Sequence, residues 1–559
     1  MNRFFILSVL PVLTIPFSLS ANNIEVSEDF GQAAVIDSLA AGFEFDIAPG
    51  PYAPTYESFE ENYQCPAWFR DDKFGIYMHW GLNSVAGFNG HYARWMYYGQ
   101  EPDSVTRSNI MCGYRPIARS VYDYHVSHFG HPSEFGYKDF IPLWKPTRFN
   151  PDSLAAIYKR IGARFIGVMA VHHDNFDLFD SPGQPWNSVN MGPHIDIVGA
   201  WRDAAEKAGL RFAITSHMSN YCHEHAFYQG PTADADGPYA GIPYDYNNPE
   251  YAGLYGERTD DRLMRLQPGF AKNWYARTRC LIDKYHPDLL YFDGPLPEGM
   301  FGRNIAAHFY NLSRDKHGSQ QGVLTIKRRH PGLTLTHECS CPDSIYPEPF
   351  LYETSINPGW FYLGQDIVSS AAAADAGQDG IAKTDTPDQL RMTAGQTIDM
   401  LCDIVSKNGT MMLNVGLRPD GSLPETYLAE LEKIGDWLRT NGEAIFDTRP
   451  YRVYGEGSFN PSAQKKAYFD NRIHFGSDEI RYTTKPGTIY AILLDWPVGS
   501  DIIELKALAE DESLDIESVT YLPTRDAIEW RREDGRLTVK LPSVRATHSA
   551  FPFKITLRP

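Results

Sequence analysis

Positive charge is scarce in this chain: 51 Lys and Arg stand against 70 Asp and Glu, a formal charge of −19, and no basic run relieves the imbalance. That excludes a nucleic-acid partner, which needs an electrostatic footprint. Cysteine is scarce too, seven in 559 residues (65, 112, 222, 280, 339, 341 and 402), so stability must come mainly from the core. Their odd number leaves at least one thiol unpaired unless a partner supplies another. Cys339-Ser-Cys341 has neither the spacing nor the second pair of a zinc site. After the first twenty residues no segment reaches the roughly 20 apolar residues of a membrane span. Those first residues carry Arg3, the apolar stretch Phe4 to Phe17, and then Ser18-Leu19-Ser20-Ala21, the pattern of a cleaved secretory signal. Residues 1–21 are read as that signal, and the mature protein as secreted or periplasmic.

What the chain has in quantity is aromatic surface: 33 Tyr, 31 Phe and 11 Trp, 13% of all residues, which suits a concave carbohydrate site or a large mixed core. Its length predicts two or three domains. From Trp68 to about residue 445, buried runs alternate with amphipathic segments. Phe74 to Gly81, an apolar run ending in His79-Trp80-Gly81, is the first strand; Pro151 to Arg160 is a helix with Asn150 or Asp152 near its cap; Arg164 to Val171 is the next strand. The unit repeats through a helix at Asp196 to Lys207 and a strand at Leu210 to Ser216. A helix at Ala271 to Lys284 then leads to the strand Leu289-Leu-Tyr-Phe292, and a helix at Asn304 to Asp315 precedes strands at Val323 to Lys327 and Leu333 to Glu338. Gln389 to Val405 is helical and Thr410 to Val415 a strand. This rhythm predicts an α/β fold, a (β/α)8-like barrel, although the strands cannot all be counted. After Asn441-Gly442 short alternating segments (near Ala467, Ile473, Ile480, Ile489, Ile502, Leu537 and Phe553) predict a C-terminal antiparallel β-sandwich. The expected division is residues 22–445, barrel with an N-terminal extension, and 446–559, sandwich.

The strand ends carry the chemistry. Asp293 lies on a Gly-Pro turn directly after Leu289 to Phe292, and His79, His172, His173, His217 and Glu338 fall at or just past the carboxyl ends of other strands. Barrel enzymes place their sites on that face. A lone Asp-Gly often only closes its own turn; the company of His and Glu at the neighbouring strand ends favours a nucleophile at Asp293. The imidazoles are read as partners for the hydroxyls of a sugar ring, donating and accepting as required. A metal hydrolase using His172, His173 and Asp174 is the competing reading of the same residues.

Six ordered motifs carry a resemblance: Lys73-Phe-Gly-Ile-Tyr-Met-His79-Trp80-Gly81, His172-His173-Asp174-Asn175-Phe176, Leu290-Tyr-Phe-Asp293-Gly, Val405-Ser-Lys-Asn-Gly409, Leu413-Asn414-Val-Gly416 and Asn441-Gly-Glu-Ala-Ile445. Over about Cys65 to Trp496 the chain resembles the α-L-fucosidases of glycoside hydrolase family 29. The resemblance implies a retaining exo-α-L-fucosidase acting on fucosylated oligosaccharides or polysaccharides without a metal or other cofactor. It makes Asp293 the nucleophile, and His79, His172 and His173 ligands of the fucose hydroxyls. In such a double displacement a second carboxyl about 5 to 5.5 Å away acts as acid and then base. Glu338, ending a strand, and Glu353, in what reads as a loop, are the two candidates.

His91, Tyr92, His217, Tyr291 and Trp360 complete the expected substrate contacts, Trp360 as a stacking platform. The chain departs from the family at His91-Tyr92, where many relatives have Glu-Trp, at Val171 before the His pair, at Tyr291 in place of Trp, and at Cys339 after Glu338. Those departures leave α-L-galactose or a modified fucose open as the sugar, and a non-catalytic glycan-binding relative as a further alternative. Lys407-Asn408-Gly409 and Asn414 are read as structural. Asn311-Leu-Ser313 fits a glycosylation acceptor. Oligomeric state is not legible.

Overall fold

In the computed structural model eight runs rich in β-branched, aromatic and aliphatic residues close into a parallel barrel: β1 (Phe74–Met78), β2 (Phe165–Val171), β3 (Arg211–Ser216), β4 (Leu289–Phe292), β5 (Val323–Ile326), β6 (Thr334–Glu338), β7 (Phe350–Ser355) and β8 (Gly409–Asn414). The structure describes residues 40–97, 115–218, 232–256, 268–294, 296, 299–338, 340–364, 388, 390–459 and 473–559. The signal peptide expected over residues 1–21 and the strand expected near Ala467 lie outside these. Closure is by β1 against β8, with Phe74 opposite Met411 and Tyr77 opposite Asn414. Among the described residues no helix is long and apolar enough to cross a membrane.

Because a strand alternates its faces, the buried runs divide into two sets. Tyr77, Phe165, Ala213, Leu289, Tyr291, Val323, Leu351 and Met412 point to the barrel axis and pack on Trp68 and Phe69, which plug its floor from the helix Ala67–Asp72. Ile76, Ile166, Val168, Ile214, Leu290, Phe292, Tyr352 and Leu413 face outward into the helical layer. Gly167 shows how tightly the axis is filled, since a Cβ there would stand 2.8 Å from that of Tyr77.

The helices begin and end where the sequence punctuates them. Asn150 accepts from Ser153 N to cap Pro151–Arg160, and Asp196 caps Ile197–Ala208, which stops at Gly209 with φ +66°. The helix expected from Gln389 begins instead at Ala394, because Thr393 and Gln396 form a capping box. The larger correction concerns Tyr352 to Asn357, read from sequence as a loop. Its first four residues complete β7, fully buried between β6 and β8, so Glu353 rides on a barrel strand.

Beyond the helix Glu425–Asn441 come β9 (Arg449–Glu456), β10 (Ile480–Lys485), β11 (Thr488–Leu493), β12 (Ile502–Glu504), β13 (Ile516–Tyr521), β14 (Asp526–Ala527), β15 (Trp530–Glu533), β16 (Arg536–Lys540) and β17 (Phe551–Leu557). The described residues form two antiparallel sheets, β14-β13-β17-β11-β10-β9 and β12-β16-β15. They share a core that includes Ile480, Tyr482, Ile503, Leu537, Val539 and Phe553. The segment at Ile473, expected as a strand, is irregular. Buried charge ties sandwich to barrel: Arg481 of β10 lies 2.5 Å from Asp403, whose other oxygen is 2.8 Å from Lys407. Lys407 therefore serves the scaffold, as its motif suggested. Asn311 is not an accessible glycosylation acceptor: its buried amide donates to the carbonyls of Ala48 and Tyr52 at 2.9 and 3.0 Å.

Candidate active site

Two residues beyond the axial layer on each strand, the alternation brings a new set of side chains to the axis at the carboxyl edge. From Tyr77 it gives His79, from Tyr291 Asp293, from Thr325 Lys327 and from Thr336 Glu338. One carboxylate oxygen from each of Asp293, Glu338 and Glu353 lies within 4.8 Å of the other two. Between them stands Lys327, whose Nζ contacts Asp293 Oδ1 and lies 2.5 Å from Glu338 Oε2 and 3.5 Å from Glu353 Oε1. His173 Nε2 donates to Asp293 Oδ2 at 3.2 Å, and His217 Nε2 is 3.9 Å from the same oxygen.

The histidines form a connected wall. Asn414 Oδ1 accepts from the His79 backbone at 2.8 Å and faces His79 Nδ1 at 3.1 Å, which places the ring proton on Nδ1. His79 Nε2 is then an acceptor, and His217 Nε2, 3.0 Å away, donates to it. Asn83, oriented by Tyr137 and the Gly90 carbonyl, donates to His172 Nδ1 at 3.4 Å, so His172 carries its proton on Nε2. Burial, and then the neighbouring imidazoles His217 and His173 respectively, hold His79 and His172 well below the usual histidine range, so both rings are neutral. His91 stacks on His173 with ring centres 5.2 Å apart. Trp360 lies 5.2 Å from the His79 ring, and Phe361 lies 4.8 Å from that of His172.

The carboxylates are electrostatically unequal. Burial alone would raise Asp293, but Lys327, with His217 and His173, reverses this and holds its carboxyl well below the usual range. Glu353 goes the other way: burial, reinforced by Glu338 and Asp293 against the pull of Lys327, pushes it up to about 7. Tyr77 donates to Glu353 Oε2 at 2.8 Å, and Tyr291 Oη is 2.5 Å from Oε1. Burial would lower Lys327, yet the three carboxylates keep it well above the ordinary lysine value.

A consequence for stability follows from Glu353. It binds more proton in the folded chain than in the unfolded one between its ordinary value of 4.5 and about 7. Its contribution is therefore fully present below the lower value and is lost as pH rises through the upper one. Glu353→Gln, which cannot ionise, is expected to shrink the drop in thermal midpoint between pH 5 and pH 8; calorimetry showing the same drop in variant and parent would contradict the burial argument.

The structure thus gathers His79, His91, His172, His173, His217, Asp293, Glu338, Glu353 and Trp360 at one end of the barrel. It does not bring Tyr92 to them. That ring is buried against Tyr124 and Phe140, with its hydroxyl 2.8 Å from His125 Nδ1. Tyr291 lies under the carboxylates, its hydroxyl engaged by Glu353 and 3.1 Å from Asp293 Oδ1, instead of facing a ligand. Asp174, invoked with His172 and His173 for a metal, turns its oxygens to Tyr137 Oη at 2.6 Å and Phe176 N at 3.2 Å. Lys327, Tyr77, Asn83 and Phe361 were not singled out in the sequence. Lys327 could have been, since it ends a strand as Asp293 and Glu338 do.

The α-L-fucosidase family model matches residues 41–378 and 380–443, well over half of the chain. The chain belongs to the α-L-fucosidase family of glycoside hydrolases. A second model, the α-L-fucosidase C-terminal domain, covers residues 475–558. Among relatives, this fucosidase-family chain is 24% identical to mouse tissue α-L-fucosidase over 527 residues, covering 92% of this chain and 95% of that one. It is 26% identical to an α-L-fucosidase of Branchiostoma floridae over 501 residues, 88% of this chain and 92% of the relative. The solved Thermotoga maritima α-fucosidase in complex with fucose shares the fold, with a TM-score of 0.63 at 24% identity over 90% of this chain and 100% of that one.

Proposed function

We propose that the chain is an exported, retaining exo-α-L-fucosidase in which Asp293 is the nucleophile and Glu338 the acid/base. The observation that carries this is Asp293, its carboxyl held well below the usual range, with two further carboxyl groups within 4.8 Å beside the neutral imidazoles of His79 and His172. A separation of about 5 Å is the spacing of double displacement, where no water fits between the carboxyl and the anomeric carbon. Asp293 attacks C1 and the glycosidic oxygen leaves with a proton; the acid/base then takes a proton from water, which releases the sugar with its configuration retained.

Glu338 is the better placed of the two glutamates. Its side chain is 33% exposed against 3% for Glu353, and both the leaving group and the incoming water lie on the solvent side. Glu353 is the floor of the site, held by two tyrosine hydroxyls. His79, His172, His173 and His91 offer donors and acceptors to ring hydroxyls, and Trp360 with Phe361 supplies apolar surface suited to a deoxy sugar. The apolar, proline-interrupted N-terminal stretch supports export.

Glu338→Ala tests the assignment. Hydrolysis of fucosylated glycans is expected to fall by about 10²- to 10⁴-fold, with much less loss on an aryl fucoside whose leaving group needs no proton. Added azide should restore turnover and yield α-L-fucosyl azide, because it intercepts the glycosyl-enzyme. If Glu353→Ala behaves this way and Glu338→Ala does not, the two roles are exchanged.

A further inference from the structure

At the opposite end of the barrel, where the chain enters β2, β3 and β4, the surface opens into a cleft of about 730 Å³. Five lysines and arginines line it against three acids, in a chain whose overall charge is −19. Helix C-termini converge there, and cations ordinarily answer helix carbonyl ends. Lys159, which donates to the Ala208 carbonyl at 2.5 Å, is accounted for in that way. The acids are used as well: Arg211 pairs with Asp288 at 3.3 Å and Asp72 at 3.5 Å, and Arg202 with Glu206 at 3.4 Å.

Arg164 and Lys316 remain, and among the described residues neither is in ion-pair contact with a carboxylate. Arg164 precedes β2 and belongs to no helix end; its guanidinium lies 4.5 Å over the Phe446 ring, as that of Arg211 lies 4.6 Å over Trp68. Both planar forks are thus held by aromatic platforms. His286 sits between the chains that carry them, in a left-handed backbone conformation (φ +48°), with Nδ1 buried and lacking a hydrogen-bond partner. Burial and then Lys316 hold both His286 and His317 below the usual histidine range, as a surplus of positive charge would.

We propose that this cleft binds an oxyanion, presented as a sulfate ester on a saccharide chain, through Arg164 and Lys316, with His286 as a further donor. Planar guanidinium forks match the geometry of a tetrahedral oxyanion, and the volume accommodates more than a free ion. The choice of a saccharide as carrier rests on the proposed action on glycans. The length of β2 separates the cleft from Asp293 by about 20 Å, so the two sites act independently.

The test is calorimetric titration of the full chain with a sulfated oligosaccharide that contains no fucose, with its desulfated counterpart, and with inorganic phosphate. The sulfated chain is expected to bind, the desulfated one not, and the affinity to fall with added salt. The double variant Arg164→Gln/Lys316→Gln should lose about tenfold or more in affinity, with hydrolysis of an aryl α-L-fucoside unchanged. Phosphate binding as tightly as the sulfated chain, and equally sensitive to the double variant, would keep the oxyanion site and make a free ion its ligand. Absence of binding by either anion, or binding indifferent to the double variant, overturns the proposal. Loss of fucosidase activity in the parent protein would count against the active-site reading and leave this result intact.

Discussion

Asp293→Gly is expected to lower turnover of an aryl α-L-fucoside by about 10⁴-fold or more, and azide is expected to restore it with β-L-fucosyl azide as product. Without the carboxylate no glycosyl-enzyme forms, and the space it leaves beside Lys327 and His173 lies where a small anion can attack C1 directly. A single attack inverts the anomeric centre, which is why the product differs from that of the Glu338 variant. The variant should fold: Lys327 keeps Glu338 at 2.5 Å and Glu353 at 3.5 Å, so the cation is not orphaned. It should also lose one source of pH dependence. Asp293 is held well below its ordinary 3.8, so its contribution to stability is present above that value and lost as pH falls through the depressed one. The parent's loss of thermal stability in acid should therefore be smaller in the variant. Ordinary turnover by the variant, or α-L-fucosyl azide as its rescued product, would remove Asp293 from the role of nucleophile.

Much of the site was legible because strand ends are legible. His79, His217 and Asp293 each follow a buried run on the axial register, and the period of two carries them inward without any knowledge of the helices. Glu353 was misplaced for the opposite reason. Its strand, Phe-Leu-Tyr-Glu-Thr-Ser, is short, is preceded by Pro347 and Pro349, and contains a charge that sequence reasoning assigns to solvent; the hydroxyls of Tyr77 and Tyr291 and the Lys327 ammonium, from three other strands or strand ends, make that charge tolerable inside. Tyr92 failed for a related reason. Its neighbour His91 reaches the His173 ring, but a short helix turns adjacent residues to different faces, and Tyr92 meets His125, which lies 33 positions away in the chain. Asn414 is structural, as its motif suggests, and the structure it supports is the orientation of His79.

The omission of Lys327 has the largest chemical consequence, because the cation sets the charge balance of the whole cluster. Three carboxylates and one ammonium share the site, and Asp293 is further neighboured by the Tyr291 hydroxyl and the imidazoles of His173 and His217. Lys327→Met keeps the length of the side chain and removes its charge. Burial and mutual repulsion would then act on Asp293 unopposed by the ammonium, and the cluster as a unit would take up a proton at higher pH. The acid limb of the pH profile of kcat/KM is expected to move to higher pH, and kcat/KM at its optimum to fall by about 10²-fold, the effect of losing roughly 3 kcal/mol from a charge-assisted contact. Lys327→Arg, which keeps the charge while altering its shape, should return the acid limb toward that of the parent. A merely structural lysine would lower thermal stability in Lys327→Met and leave the shape of the pH profile unmoved. That outcome would mean that the imidazoles of His173 and His217, not the ammonium, keep Asp293 ionised.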